Sequence, residues 1–144
     1  MSYKNENMKM IELHENGLDI QFRIRENGVV ELADFSSQEV KKAVMEPKED
    51  ICYPAVEIHR SGTGSLNMHA YKNNINQSSV DFVYENHELK AQAGGKELEI
   101  VMISPEKLKA VYHMRLFDGV PAVQTWTEII NEGSEDQGLT YVSS

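Results

Sequence analysis

Cysteine is almost missing. Cys52 is the single one among 144 residues, so an intrachain disulfide and a thiolate metal cluster are both excluded. A lone thiol of this kind is most simply a small buried apolar group. Positive charge is also short. The chain carries 14 Lys+Arg against 23 Asp+Glu, a formal charge of -9, which excludes a protein that mainly grips nucleic-acid phosphates. No apolar run approaches the roughly 20 residues of a transmembrane helix. Residues 1–10 are rich in Lys, Asn and Glu, without the apolar stretch of a signal peptide. These absences predict a cytoplasmic protein with neither nucleic acid nor membrane as partner. Linkers, repeats and low-complexity tracts are missing too, so residues 1–144 are expected to form a single domain. That length falls short of the about 250 residues of a complete eight-stranded α/β barrel.

The usual local motifs of chemistry are equally scarce. The five histidines, His14, His59, His69, His87 and His113, form no His-x-x-x-His or His-Glu-x-x-His pattern, so helical zinc spacing is absent and no metal is expected. Ser61-Gly62-Thr63-Gly64-Ser65 lacks the Lys and the strand–loop–helix setting of a phosphate cradle and reads as a β-turn. A GxSxG elbow is missing. Acidic pairs such as Glu49-Asp50 and Glu135-Asp136 sit in polar turns and read as solvated charge. No catalytic residue and no cofactor is expected within this chain.

What the sequence does contain is alternation. Leu18, Ile20, Phe22 and Ile24 alternate with Asp19, Gln21, Arg23 and Arg25, a half-buried strand pattern. Glu26-Asn27-Gly28 then predicts a tight turn into Val29, Val30 and Leu32. Val56 and Ile58 alternate with Glu57 and His59. Val80, Phe82 and Tyr84 alternate with Asp81 and Glu85. Gly94-Gly95 precedes Leu98, Ile100 and Met102. The longest series is Leu108, Ala110, Tyr112, Met114 and Leu116, opposite Lys107, Lys109, His113 and Arg115. Asp118-Gly119 turns the chain into 123–130, and Asn131-Glu132-Gly133-Ser134 turns it again into 139–142. Regularly spaced strands with such turns predict an all-β antiparallel sandwich. Helix is expected at most once and briefly, over 37–45, with Ser37 as a cap and Pro47 as a stop. The polar segment 67–79 reads as a long loop.

Trp126 is the only tryptophan and stands in a strand. Gln124 and Glu128 share its face, along with Ala122 and Ile130, while Val123, Thr125, Thr127 and Ile129 take the other. Facing inward, it is core. Facing outward, it is placed to stack on a sugar or a neighbouring domain. His69 is of interest because a long loop carries it, and loops carry function more often than strands do.

Two stretches resemble the N-terminal domain of glycoside hydrolase family 36 α-galactosidases. Tyr53-Pro54-Ala55-Val56-Glu57-Ile58 is similar to that domain's "YPxxE(I/L)" strand. Gly95-Lys96-Glu97-Leu98-Glu99-Ile100, then Val111-Tyr112-His113, then Phe117-Asp118-Gly119-Val120-Pro121-Ala122-Val123-Gln124-Thr125-Trp126-Thr127-Glu128 resemble its "GKxLEI … YxxYDGxPVVRxWTEVxNxGxExxxLxYVSS" run. That run continues through Ile129-Ile130-Asn131-Glu132-Gly133 to Leu139-Thr140-Tyr141-Val142-Ser143-Ser144. Residues 51–144 carry the likeness. The first 50 carry less, with Leu32-Ala33-Asp34-Phe35 standing where members have "LYxG"; within 51–144 itself, His69-Ala70-Tyr71-Lys72-Asn73 replaces their "HHGAKH" stretch.

The resemblance implies an antiparallel β-supersandwich, similar to galactose-mutarotase-like sandwiches. It implies that the chain is a piece of a longer enzyme whose catalytic (β/α)8 barrel follows Ser144 and supplies both carboxylates of a retaining mechanism. The partners implied are that barrel, α-galactoside oligosaccharides acted on by the parent enzyme, and a second copy in a homo-oligomer, because a sheet edge cut short invites pairing. In some members, N-terminal loops reach an active site. Asp34, Phe35, His69 and Trp126 are therefore the substrate-binding candidates, the first three expected on loops. Two other classes stay open. A free-standing carbohydrate-binding module needs an exposed aromatic platform. A mutarotase-like enzyme needs a converging His/Glu pair, with His59 or His113 supplying the histidine.

Overall fold

The computed structural model describes residues 9–38, 53–63 and 77–143. Cys52 and His69 lie outside them, as do most of the expected 37–45 helix and residues 67–76 of the expected loop.

The described residues form nine strands and one helical turn. Strands Lys9–Glu15 (β1), Leu18–Ile24 (β2) and Val30–Ser37 (β3) make an antiparallel sheet in chain order. Asn16 and Gly17 join the first two with φ of 53° and 81°. This is the two-residue turn whose twist matches the strands, and it needs left-handed backbone at both positions. The second hairpin turns at the predicted Asn27-Gly28, where the Val29 amide donates to Asn27 Oδ1 at 3.1 Å. Its register shifts between Gln21 and Phe22, which pair with Asp34 and Leu32, so Ala33 is the extra residue of a bulge.

Val83–Gln92 (β5), Gly95–Ile103 (β6), Leu108–Phe117 (β7) and Val120–Asn131 (β8) make a four-stranded antiparallel meander. Ile58–Arg60 (β4) pairs with Leu139–Val142 (β9), a pairing distant in sequence. The core lies between the three-stranded sheet and the meander. Ile11, Leu13, Ile20, Phe22 and Ile24 enter it from one side, and Leu98, Ile100, Met102, Ala110, Tyr112, Met114 and Leu116 from the other. Phe22 meets Tyr112 edge-on with ring centroids 5.6 Å apart. Lys96 with Glu15, Lys9 with Tyr84, and the Gly119 amide with Asn16 tie the two sheets at their margins. The all-β antiparallel sandwich with a short helix is thus what the chain forms.

Two local expectations need correction. Asp34 and Phe35 are strand residues of β3, not loop residues, because the bulge at Ala33 lets pairing with Gln21 and Ile20 resume. Ser37 ends β3, paired with Leu18, and the residues of the helix it was expected to cap lie outside the described ones. Val80 ends a helical turn, Gln77–Val80 (α1), instead of starting a strand. Two buried serines hold that turn. Ser79 Oγ accepts from the Ile58 amide at 2.9 Å and donates to the Ile58 carbonyl at 3.0 Å. Ser78 Oγ accepts from Arg60 Nε at 2.9 Å. Side chains placed to bond distant backbone pull a strand-like segment into a turn.

Candidate functional site

The meander has two unlike faces, because alternate residues of a strand point opposite ways. The inner face is apolar. Register places Lys90, Glu97, Arg115 and Gln124 in one row across the outer face, and Glu88, Glu99, His113 and Trp126 in the next. Glu128 follows, opposite Val111. The outer face therefore concentrates carboxylates around one imidazole and one indole.

His113 is the centre of this arrangement and is buried although it points away from the core, with only 8% exposure. Its Nδ1–H donates to Glu97 Oε1 at 3.0 Å, and Glu99 Oε1 lies 3.9 Å from the same nitrogen. Its Nε2 faces Glu128 Oε2 at 3.6 Å. Trp126 stacks flat on the imidazole, with centroids 4.7 Å apart and planes 6° from parallel. The stack excludes water from one side of the ring and holds its orientation. Lys90 Nζ donates to Glu99 Oε2, which keeps the other Glu99 oxygen toward His113. That bond raises the Lys90 pKa above its ordinary value. Glu97, Glu99 and His113 are also the one group among the described residues whose donor atoms converge closely enough to hold a cation.

Trp126 is therefore half-buried on the outer face, with Val123 and Ile129 turned to the core as its alternation predicted. Asp34 and Phe35 sit in the other sheet. Ser36 donates to Asp34 Oδ2 at 3.3 Å, and Phe35 is 47% exposed on the face of the buried Ile20. Among the described residues, Asp34 and Phe35 thus stand in a different sheet from Trp126.

Both histidines proposed for a His/Glu pair do have a carboxylate partner. His59 Nε2 lies 2.6 Å from Glu57 Oε1, within one strand end, and its ring lies against Tyr141. The His113 pair is the more enclosed of the two. Glu97, Glu99 and Glu128 were not singled out from sequence. The available signal was Glu97 and Glu99 at i and i+2, which places two carboxylates on one strand face. Pairing them with His113 required the register.

A second polar cluster is structural. Arg60, 7% exposed, reaches Asp81 at 2.8 Å and Glu106 at 2.6 Å as well as Ser78. Burial pushes the Glu106 carboxyl up, but its backbone amide, Arg60 and Ser104 outweigh that and hold it below its ordinary value. Tyr112, on the core face, is raised to about 12 by burial. An open polar cleft of about 500 Å³ lies between the β6–β7 and β8–β9 connections, lined by Glu106, Lys107, Glu132 and Glu135 among others.

No family model matches the sequence, and no curated protein matches it closely enough to count as a relative. Among the described residues, no helix is long and apolar enough to cross a membrane.

Proposed function

We propose that this chain serves as the N-terminal β-supersandwich domain of an α-galactosidase. In this reading it works in the cytoplasm on behalf of a catalytic barrel. It packs against that barrel, shapes the entrance to the active site and supports oligomer contacts, while hydrolysis of terminal α-galactosides belongs to the barrel. What supports the reading is that the two family-like stretches, far apart in sequence, lie side by side in the fold. Ile58, at the end of the Tyr53–Ile58 stretch, pairs with Val142 of the closing Leu139–Ser143 stretch. Ser143 Oγ accepts from the Glu57 amide at 2.7 Å. Phe35, exposed beside Asp34 on the edge strand β3, offers an apolar surface for a neighbouring domain.

The test is to express the gene's full product and this chain in parallel and assay both on a nitrophenyl α-galactoside. The reading expects turnover from a product whose sequence after Ser144 encodes the barrel, and none from residues 1–144. Enzyme-like turnover by residues 1–144 alone, or a reading frame without such a barrel, overturns it.

A mutarotase-like reading has one observation in its favour, the enclosed His113–Glu97 pair beside Trp126. Polarimetry on freshly dissolved α-galactose decides it. Acceleration abolished by His113→Gln favours it, and an unchanged rate of rotation removes it.

A further inference from the structure

We propose that Glu97, Glu99 and His113 form a binding site for a divalent transition-metal cation of the zinc class, with Glu128 as the outer partner of the histidine. The inference is independent of the α-galactosidase reading. One oxygen of each glutamate and one imidazole nitrogen all lie within 4.8 Å of one another. Donors about 2.1 Å from a tetrahedral zinc ion sit about 3.4 Å apart. The two spacings from Nδ1, 3.0 Å and 3.9 Å, straddle that value. Three protein ligands leave one position for water, the pattern of an open site.

The histidine supplies an independent sign. It is more than nine-tenths buried, and its Nε2 has no hydrogen-bond partner among the described residues. A neutral imidazole carries one proton. With that proton on Nδ1 for Glu97, Nε2 is a buried acceptor facing another acceptor, Glu128 Oε2, at 3.6 Å. A cation on Nδ1 reverses this. The proton moves to Nε2 and points at Glu128, the carboxylate–histidine–metal arrangement that orients metal-binding imidazoles.

Charge agrees. Around the ring, register gathers Glu88, Glu97, Glu99 and Glu128 against Lys90 and Arg115, which leaves two negative charges in excess. Lys90 occupies Glu99 Oε2, so Oε1 is the oxygen left for an ion. The stacked Trp126 holds the ring in place, so little ordering is needed on binding.

The experiment is calorimetric titration of the 144-residue chain, free of any added histidine tag, with Zn²⁺. It is paired with quenching of Trp126 fluorescence by Co²⁺. Because Trp126 is the only tryptophan, quenching reports on this site. Saturable 1:1 binding with quenching is expected. Loss of the outer partner in Glu128→Gln weakens it by roughly 10-fold, and loss of a ligand in Glu97→Gln or His113→Gln by roughly 100-fold or more. Circular dichroism checks that each variant is folded, and His59→Gln leaves the affinity unchanged. Zn²⁺ binding that survives His113→Gln, or no binding at all, overturns the proposal. So does a nitrogen NMR spectrum showing His113 doubly protonated at neutral pH with Zn²⁺ present.

Discussion

The two faces of the β5–β8 meander share one backbone and differ in almost everything else. On the inner face, Leu98, Ile100, Ala110, Met114 and Leu116 are each no more than 2% exposed. Their contribution is apolar area removed from water. On the outer face, His113 and Glu97 are nearly as buried, at 8% and 7%, but among the described residues their partners are side chains of their own sheet. Burying an ionisable pair this way contributes little net stability, because desolvation offsets most of the attraction. Equal burial therefore does different work: the inner face holds the sandwich together, and the outer face holds charges in a chosen geometry.

The largest expected effect lies inside. Ile100→Ala should cost about 2–5 kcal/mol in urea unfolding, because the site cannot collapse between two packed sheets. Gly95→Ala comes next. An added Cβ would lie 1.9 Å from the Leu116 carbonyl oxygen, so backbone must shift, at a cost of about 1–3 kcal/mol. On the outer face, Trp126→Leu should cost about 1 kcal/mol or less without added metal, since a stacked ring pair contributes about that much. An outer-face loss as large as that of Ile100→Ala would break the comparison. The smallest effect is a pH dependence from Glu106. Its folded pKa lies below the ordinary 4.5. Its contribution is therefore present above that value and lost as pH falls through the lower folded one. Glu106→Gln should flatten part of the decline in unfolding midpoint between neutral pH and the acid range, while leaving the midpoint of an outer-face variant falling as before.

Legibility followed the same division. Period-two alternation was plain wherever one strand face is apolar and the other mostly polar, as in Leu18–Ile24 and Leu108–Phe117. It faded in β5, an edge strand whose sequence Tyr84-Glu85-Asn86-His87-Glu88 lacks a continuous apolar row. β1 carries only a short signal, Ile11 and Leu13 alternating just before the Asn16-Gly17 turn. Ala33's bulge could not be read from sequence, because one inserted residue shows only as a change of phase, and β3 carries too few apolar residues to reveal it. For the site, His113's position opposite the apolar series was legible, whereas the alternation around Trp126 left inward and outward both open. The grouping of Glu97, Glu99, His113 and Glu128 was not, because it arises across three strands and depends on register alone.

The pairing of β4 with β9 bears on how the chain is made. Glu57 and Ser143 stand 86 positions apart. During synthesis, Ile58 and its short strand emerge long before the segment that completes their ladder. The meander, built from neighbouring hairpins, can form early, because short loops close at little entropic cost. The β4–β9 clasp must close last. A ribosome-bound chain halted before Leu139 should therefore protect the β6–β7 amides from exchange and leave those of Ile58–Arg60 open.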